Sequence, residues 1–320
     1  MKFNTNETAN WLKNHDHFLI LTHRRPDGDT LGTAAGLCAL LRKIGKTAYL
    51  LENLETTPRY LGYAAPYWAE DNYAFSHIIT VDMADTTLLP ENAKQFADKV
   101  DLCIDHHGSN TNYAAHTYLM DTAAACGELI FHLASALEVT LDASIATPLY
   151  VALTTDTGCF QYANTTAETL GIAAKLVSAG ASHLAVNKAL FRTKSRARIA
   201  LDGALFSGLQ FFLDGTVAVC LITMALLEEC GTVEDDLDDI ATIPNMVEGV
   251  TIGVVIREVE GNFVKVSLRT APNTINASTV CRKFDGGGHT MAAGCIIAAS
   301  PDVALEQLIS AITDEVEASK

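Results

Sequence analysis

From residue 15 to about 185, short apolar runs alternate with helix-like segments, the pattern of a parallel sheet whose strands are joined by crossover helices. His17 to Thr22, Tyr49 to Glu52, Ile78 to Val81 and Leu102 to Ile104 are predicted strands. Thr30 to Lys43 is a predicted helix closed by Gly45. Two more helices are predicted, over Thr122 to Leu137 and over Thr165 to Ala179; a Thr165-x-x-Glu168 capping box opens the second and Gly180 ends it. Pro148 interrupts Asp142 to Asp156, so that helix either kinks or begins at Thr147 with proline in its first turn.

Beyond this region the pattern changes. Arg192 to Arg198 carries four basic residues in seven and reads as a solvated linker. Thr216 to Thr223, Val250 to Arg257 and Phe263 to Thr270 are β-rich, the last two joined by the turn Glu260-Gly261-Asn262. Glu234 to Asp239 reads as an exposed acidic loop. The expected organisation is an α/β parallel-sheet domain over residues 1–190, a linker over 191–209 and a smaller α+β domain over 210–320. In an open parallel sheet ligands bind at the carboxyl ends of the strands.

A chain of 320 residues is long enough for each domain to bury its own core. The formal net charge of −16 argues against long duplex nucleic acid, whose binding rests on lysines and arginines that displace counterions. A short phosphorylated ligand stays compatible, because divalent cations and a few arginines reverse the local field in a cleft. The eight cysteines include no Cys-x-x-Cys pair, and several sit in apolar stretches as reduced core thiols do. Met1 to Asn10 is polar, unlike a secretory signal, and no apolar run approaches the roughly 20 residues that span a bilayer. The expectation is a soluble cytoplasmic protein with no membrane partner.

Candidate chemistry collects where the strands end. His23, Asp27 and Asp29 lie on one strand-to-helix loop, with Gly28 expected to allow its sharp turn; they can hold two divalent ions or simply form an N-capping, Asp-rich turn. Asp82 follows a strand, as do Asp105, His106 and His107, and Asp156 follows the run Leu149 to Thr155. Adjacent histidines point to different sides, so one can ligate while the other contacts substrate. Gly286-Gly287-Gly288-His289 places backbone N–H groups where no side chain obstructs an anion, with Arg282 and Lys283 beside it; a flexible turn is the plainer alternative. Arg257 and Arg269 lie on the two strands of the predicted hairpin, as edge-strand charges or as phosphate clamps.

Taken in order, His23-x-x-x-Asp27-x-Asp29, Asp82, Asp105-His106-His107, Asp156-Thr157-Gly158 and Gly286-Gly287-Gly288-His289 resemble the DHH phosphoesterase family over nearly the whole chain. The two-domain length is most similar to the oligoribonuclease (nano-RNase) and phosphoadenosine phosphate phosphatase branch. The resemblance implies that His23, Asp27 and Asp82 hold one metal and that Asp29, Asp82, His106 and Asp156 hold another, with Asp82 bridging. It further implies that Asp105 orients the histidines, that His107 faces the scissile phosphate, and that His289, the three glycines and Arg269 hold the nucleotide or a remote phosphate. Two manganese ions about 3.5 to 4 Å apart, with magnesium or cobalt as substitutes, would then activate water for in-line attack.

The implied partners are short RNA or DNA oligonucleotides and phosphorylated nucleotides, and a homodimer is compatible. Linear or cyclic dinucleotide phosphodiesterase activity shares all these motifs. A non-catalytic nucleotide sensor is the alternative from another class. Two departures stand out: Pro148 before Asp156, and Met83 to Leu89, where many relatives carry an arginine that this chain lacks.

Overall fold

The computed structural model describes residues 1–319, which divide into two compact units, one from Met1 to Thr193 and the other beginning at Lys194. The first unit runs β1 (Lys2–Phe3), α1 (Thr5–Asn14), β2 (Phe18–Leu21), α2 (Gly28–Lys43), β3 (Ala48–Leu50), α3 (Pro58–Ala64), β4 (His77–Val81), β5 (Leu102–Asp105), β6 (His116–Leu119), α4 (Cys126–Ala136), α5 (Ala143–Asp156), α6 (Ala167–Ser178) and α7 (His183–Asn187). Its six strands pair in parallel, in the order β1-β6-β5-β4-β2-β3. Chain order therefore diverges between β2 and β4: β2 leads to β3 on one side, and β4 leads to β5 on the other. A crevice at the carboxyl ends of these two strands follows from that topology.

Side-chain alternation divides the core between the two faces of the sheet. Phe18, Ile20, Ile79, Val81, Leu102 and Ile104 join a cluster with the helices, including Leu37 of α2 and Leu149 of α5. Leu19, Leu21, Ile78 and Cys103 face the other way, toward Leu89, Ala93 and Val100. That second face is covered by short 3-10 turns at Thr86–Leu88 and Glu91–Phe96.

Helix α2 is buried from Gly28 to Leu41, and it approaches α5 closely. A Cβ on Gly32 would lie 2.4 Å from the carbonyl oxygen of Pro148, and one on Gly28 would lie 2.3 Å from Cγ2 of Thr155. Gly28 is thus required for packing, and the expected role in a sharp turn belongs to Arg25, which takes the left-handed φ of +48°. Helix α5 does not start at Thr147; it begins at Ala143, capped by Asp142, and runs through the proline. The Ser144 carbonyl, which the missing Pro148 N–H would have served, receives the Tyr67 hydroxyl at 3.5 Å. The capping box of α6 also sits one residue later than expected: Thr166 and Thr169 cap it, and Thr169 Oγ1 donates to buried Glu128 at 2.6 Å.

The second unit contains α8 (Arg196–Ser207), β7 (Gln210–Phe212), β8 (Val217–Ile222), α9 (Met224–Cys230), β9 (Ile252–Val259), β10 (Phe263–Thr270), α10 (Ala277–Arg282), β11 (Gly287–Gly288), β12 (Ala292–Ile297) and α11 (Pro301–Ala318). Its sheet has the order β11-β12-β10-β9-β8-β7 and is antiparallel except for the β8–β9 pair. One face packs on α10 and α11, through residues such as Val254, Val280 and Leu308. The other packs on α8, through Leu201 and Leu205.

The span read as a linker, 191–209, is therefore corrected. Asp202 draws in Lys194 and Arg198, and the two buried leucines anchor the helix. The acidic stretch begins with a 3-10 turn, Glu234–Leu237. Glu234 accepts from Arg257 at 3.0 Å, and β9 and β10 are both interior strands, so neither Arg257 nor Arg269 is an edge-strand charge. All eight cysteines are free thiols, six of them buried. Among the described residues no single helix is long and apolar enough to cross a membrane.

Candidate metal centre

The loop after β2 is built to aim imidazole and carboxylate together. His23 Nδ1 lies 2.7 Å from the carbonyl oxygen of Arg24; since a carbonyl only accepts, Nδ1 carries the proton and Nε2 keeps its lone pair. That Nε2 stands 4.0 Å from Asp27 and 3.8 Å from Asp82. Asp27 caps α2 by accepting from the Thr30 N–H at 3.0 Å, so the capping role and a place in the cluster hold together.

Asp82 follows β4 in the left-handed region, with φ +53°, a strained conformation fixed by its N–H donating to the Ile104 carbonyl. Thr30 Oγ1 donates to its Oδ2 at 2.6 Å. Its Oδ1 faces His106 Nε2 at 3.3 Å and His107 Nδ1 at 3.6 Å, yet among the described residues it has no well-aligned hydrogen-bond donor. Such an acceptor, buried to 3 % exposure, is costly to leave without a partner.

The β5 end supplies the rest. His106 Nδ1 donates to the Ala123 carbonyl at 3.1 Å, leaving Nε2 at 3.6 Å from both Asp29 and Asp156. Asp105 is fully buried; it accepts from His107 Nδ1 at 2.7 Å and from Asn110 at 2.6 Å. Its side chain therefore orients the His107 ring, while the ring of His106 is oriented by Ala123. Asp29, 1 % exposed, also accepts from the N–H groups of Cys126 and Gly127 at 2.6 and 3.1 Å, which caps α4 from the far side of the sequence. That contact explains why α4 starts at Cys126 instead of Thr122.

Three groups of ligand atoms result: His23, Asp27 and Asp82; Asp29, His106 and Asp156; and Asp82, His106 and His107, each within 4.8 Å. Ligands on an octahedral ion with bonds of about 2.1 Å lie roughly 3 to 4 Å apart, so the observed separations suit divalent cations. The electrostatics agree. Burial raises the Asp29 carboxyl well above its usual range, with the Asp82 charge adding to it. Burial likewise lifts Asp156 to about 6. Burial would lower His106, but Asp82 and Asp29 outweigh it and push the imidazole up to about 11. The cluster thus holds protons where a cation would otherwise neutralise it. A pocket of about 310 Å³ opens here, lined by His23, Asp27, Asp82, His107 and Asp156 and also by Arg24 and Ser109.

Sequence reading missed Thr30, Asn110 and the Ala123 carbonyl, because each acts on a ligand from a position with no distinctive residue type.

The glycine motif lies in the second unit. Gly287 and Gly288 form the edge strand β11 on β12, so the motif is ordered strand and not a flexible turn. A Cβ on Gly286 would meet the Gly294 carbonyl at 2.3 Å, whereas one on Gly287 would meet nothing. His289 is exposed, and its N–H donates to the Ala292 carbonyl at 2.8 Å. Arg269 pairs in register with Ala292, which puts it at the same end of the sheet as His289.

Residues 17–153 match the family model described as the DHH family, N-terminal domain, and residues 215–318 match the DHHA1 domain. The chain is 33% identical over 304 residues to the bifunctional oligoribonuclease and PAP phosphatase NrnA of Thermus thermophilus, covering 92% of this chain and 89% of that one. The protein of the same name from Bacillus subtilis is 26% identical over 288 residues, covering 88% and 90%. Among solved structures, an exopolyphosphatase-related protein from Bacteroides fragilis shares the fold with a TM-score of 0.86 at 21% identity, over 98% of this chain and 97% of that one. The RecJ structure with Mn2+ from Thermus thermophilus matches with a TM-score of 0.53 at 15% identity, over 98% of this chain and 55% of that one. With both domain models and a curated relative matched along almost its full length, the chain belongs to the DHH family of phosphoesterases.

Proposed function

We propose that this protein is a metal-dependent hydrolase that cleaves phosphoester bonds in short oligonucleotides and releases phosphate from phosphoadenosine phosphate. The observation that carries the reading is that Asp82 falls in one ligand group with His23 and Asp27 while its Oδ1 lies 3.3 Å from Nε2 of His106, which belongs to the group of Asp29 and Asp156. The relatives named oligoribonuclease and PAP phosphatase support the substrate class.

In this reading His23, Asp27 and Asp82 hold one ion, and Asp29, Asp82, His106 and Asp156 hold a second. Oxygen and imidazole donors without thiolate suit manganese, with magnesium or cobalt as substitutes. Two such ions supply an activated water and polarise the phosphoryl oxygens. The residues do the remaining work. Thr30 fixes the rotamer of Asp82, while the Arg24 and Ala123 carbonyls fix the tautomers of His23 and His106. His107, held by Asp105 and raised in pKa chiefly by that hydrogen bond, offers an N–H to a phosphoryl oxygen. His289 and Arg269, beside the glycines Gly286 to Gly288, hold the nucleotide or a phosphate remote from the bond being cut; the Gly286 N–H itself is given to the Cys281 carbonyl at 2.9 Å.

The test is a substrate panel with purified protein and Mn2+: di- to pentanucleotides, phosphoadenosine phosphate, pyrophosphate and cyclic dinucleotides. Hydrolysis of the short oligonucleotides and of phosphoadenosine phosphate, abolished by chelator, is the expected result. Turnover of pyrophosphate alone, or full activity in chelator with metal shown to be absent, contradicts the reading.

A further inference from the structure

The titratable side chains that line the metal pocket are carboxylates and imidazoles, with one exception. Among the described residues that line it, Arg24 is the only arginine or lysine. Its side chain is exposed and, among the described residues, makes no hydrogen bond or ion pair, although Asp27, Asp82 and Asp156 line the same pocket.

The backbone beneath it is pinned on both sides. The Arg24 N–H donates to the Leu88 carbonyl at 2.7 Å, and its own carbonyl takes the His23 Nδ1 proton at 2.7 Å. The next residue, Arg25, turns through the left-handed region at φ +48° and does not line the pocket. A free guanidinium on a fixed backbone, beside acids it does not neutralise, is preorganised for an anion that arrives from solution. Its planar fork matches two oxygens of one phosphoryl group.

Resting on the hydrolase reading above, we propose that Arg24 is a substrate-positioning residue that grips the non-bridging oxygens of the phosphoryl group at the metal pocket. The pocket's carboxylates repel a phosphate, and Arg24 supplies attraction from the chain itself, beyond that of the bound ions. The same short loop thereby gives a ligating imidazole through His23 and an anion clamp through the next side chain.

The test compares the full chain with Arg24→Ala, Arg24→Lys and Arg25→Ala on phosphoadenosine phosphate and a 5′-phosphorylated dinucleotide, alongside equilibrium binding of Mn2+ and of orthophosphate to the Mn2+-loaded protein. Arg24→Ala is expected to raise KM roughly ten- to hundredfold and to weaken orthophosphate in step, with a smaller change in kcat. Mn2+ affinity is expected to hold or to rise slightly, since a positive charge is removed. Arg24→Lys should recover part of the loss, and Arg25→Ala should stay within about twofold of wild type.

Wild-type KM and orthophosphate affinity in Arg24→Ala overturn the proposal. So does a parallel loss of Mn2+, which would make Arg24 a support for the loop. If the wild-type chain hydrolyses none of these substrates, the hydrolase reading fails by itself, and the orthophosphate measurement still decides the role of Arg24.

Discussion

The two motif regions solve opposite problems. At the carboxyl ends of β2, β4 and β5, acids and imidazoles are buried against one another: Asp29 and Asp82 are 1 % and 3 % exposed, and Thr30, Asn110 and backbone carbonyls lock the cluster. At β11, His289 and Gly287 stand in the open, and the neighbouring residues leave them free. Burying like charges at the first site is costly unless a cation answers them, so that geometry points to its ligand. The glycine motif asks for nothing in the resting protein. Under the proposed function its chemistry emerges only when an anion arrives.

The largest effect expected from this contrast comes from Asp82→Asn. Removing the shared charge should cut hydrolysis by roughly a thousandfold or more while far-ultraviolet circular dichroism stays native. Turnover near wild type at saturating Mn2+ would remove Asp82 from the mechanism and erase the distinction between the regions.

His289→Ala and Arg269→Ala should act differently. Each is expected to raise KM for a dinucleotide by roughly ten- to hundredfold, as the loss of one charge-assisted hydrogen bond does. A small artificial phosphate ester, which never used those contacts, should be hydrolysed almost as before. Equal losses on both substrates would assign these residues to the fold.

A smaller effect is expected from pH. Asp156, lifted to about 6, and Asp29, raised well above its usual range by burial, carry protons at the acid end, and His106 carries one up to about 11. Metal must displace these protons, so apparent Mn2+ affinity should rise between pH 6 and 8, with proton release on binding. Without metal the carboxyls act in the opposite sense to a paired acid: their raised folded values make ionisation destabilising, so their contribution weakens as pH climbs through about 6. His106, raised by its partners, contributes its full stabilisation below its unfolded pKa, and that contribution is lost progressively as pH rises from there toward about 11. Calorimetric titration in buffers of different ionisation enthalpy measures the proton count, and pH-independent affinity would contradict the clustered geometry.

Much of this was legible from residue types. The parallel sheet, the strand ends and the ligand candidates follow from apolar runs that stop at Asp and His. The misplaced boundaries share one physical cause, which is contact across long separations. Helix α4 starts late because Asp29, 97 residues earlier, caps Cys126. The end of the basic stretch, from Arg196, opens α8 because Asp202 and two buried leucines hold it there. Pro148 sits inside α5, where the Tyr67 hydroxyl lies 3.5 Å from the Ser144 carbonyl that the proline leaves free. Local propensity contains none of these partners. The orienting groups Thr30, Asn110 and Ala123 were invisible for the same reason.

The central claim is that Asp82 belongs to two metal positions at once. Titrating chelator-stripped protein with Mn2+, with bound metal counted by elemental analysis, tests it most directly. The account predicts two ions per wild-type chain and a loss of affinity at both positions together in Asp82→Asn. Two ions retained in Asp82→Asn with wild-type affinity, or a single ion in the wild-type chain, would contradict it.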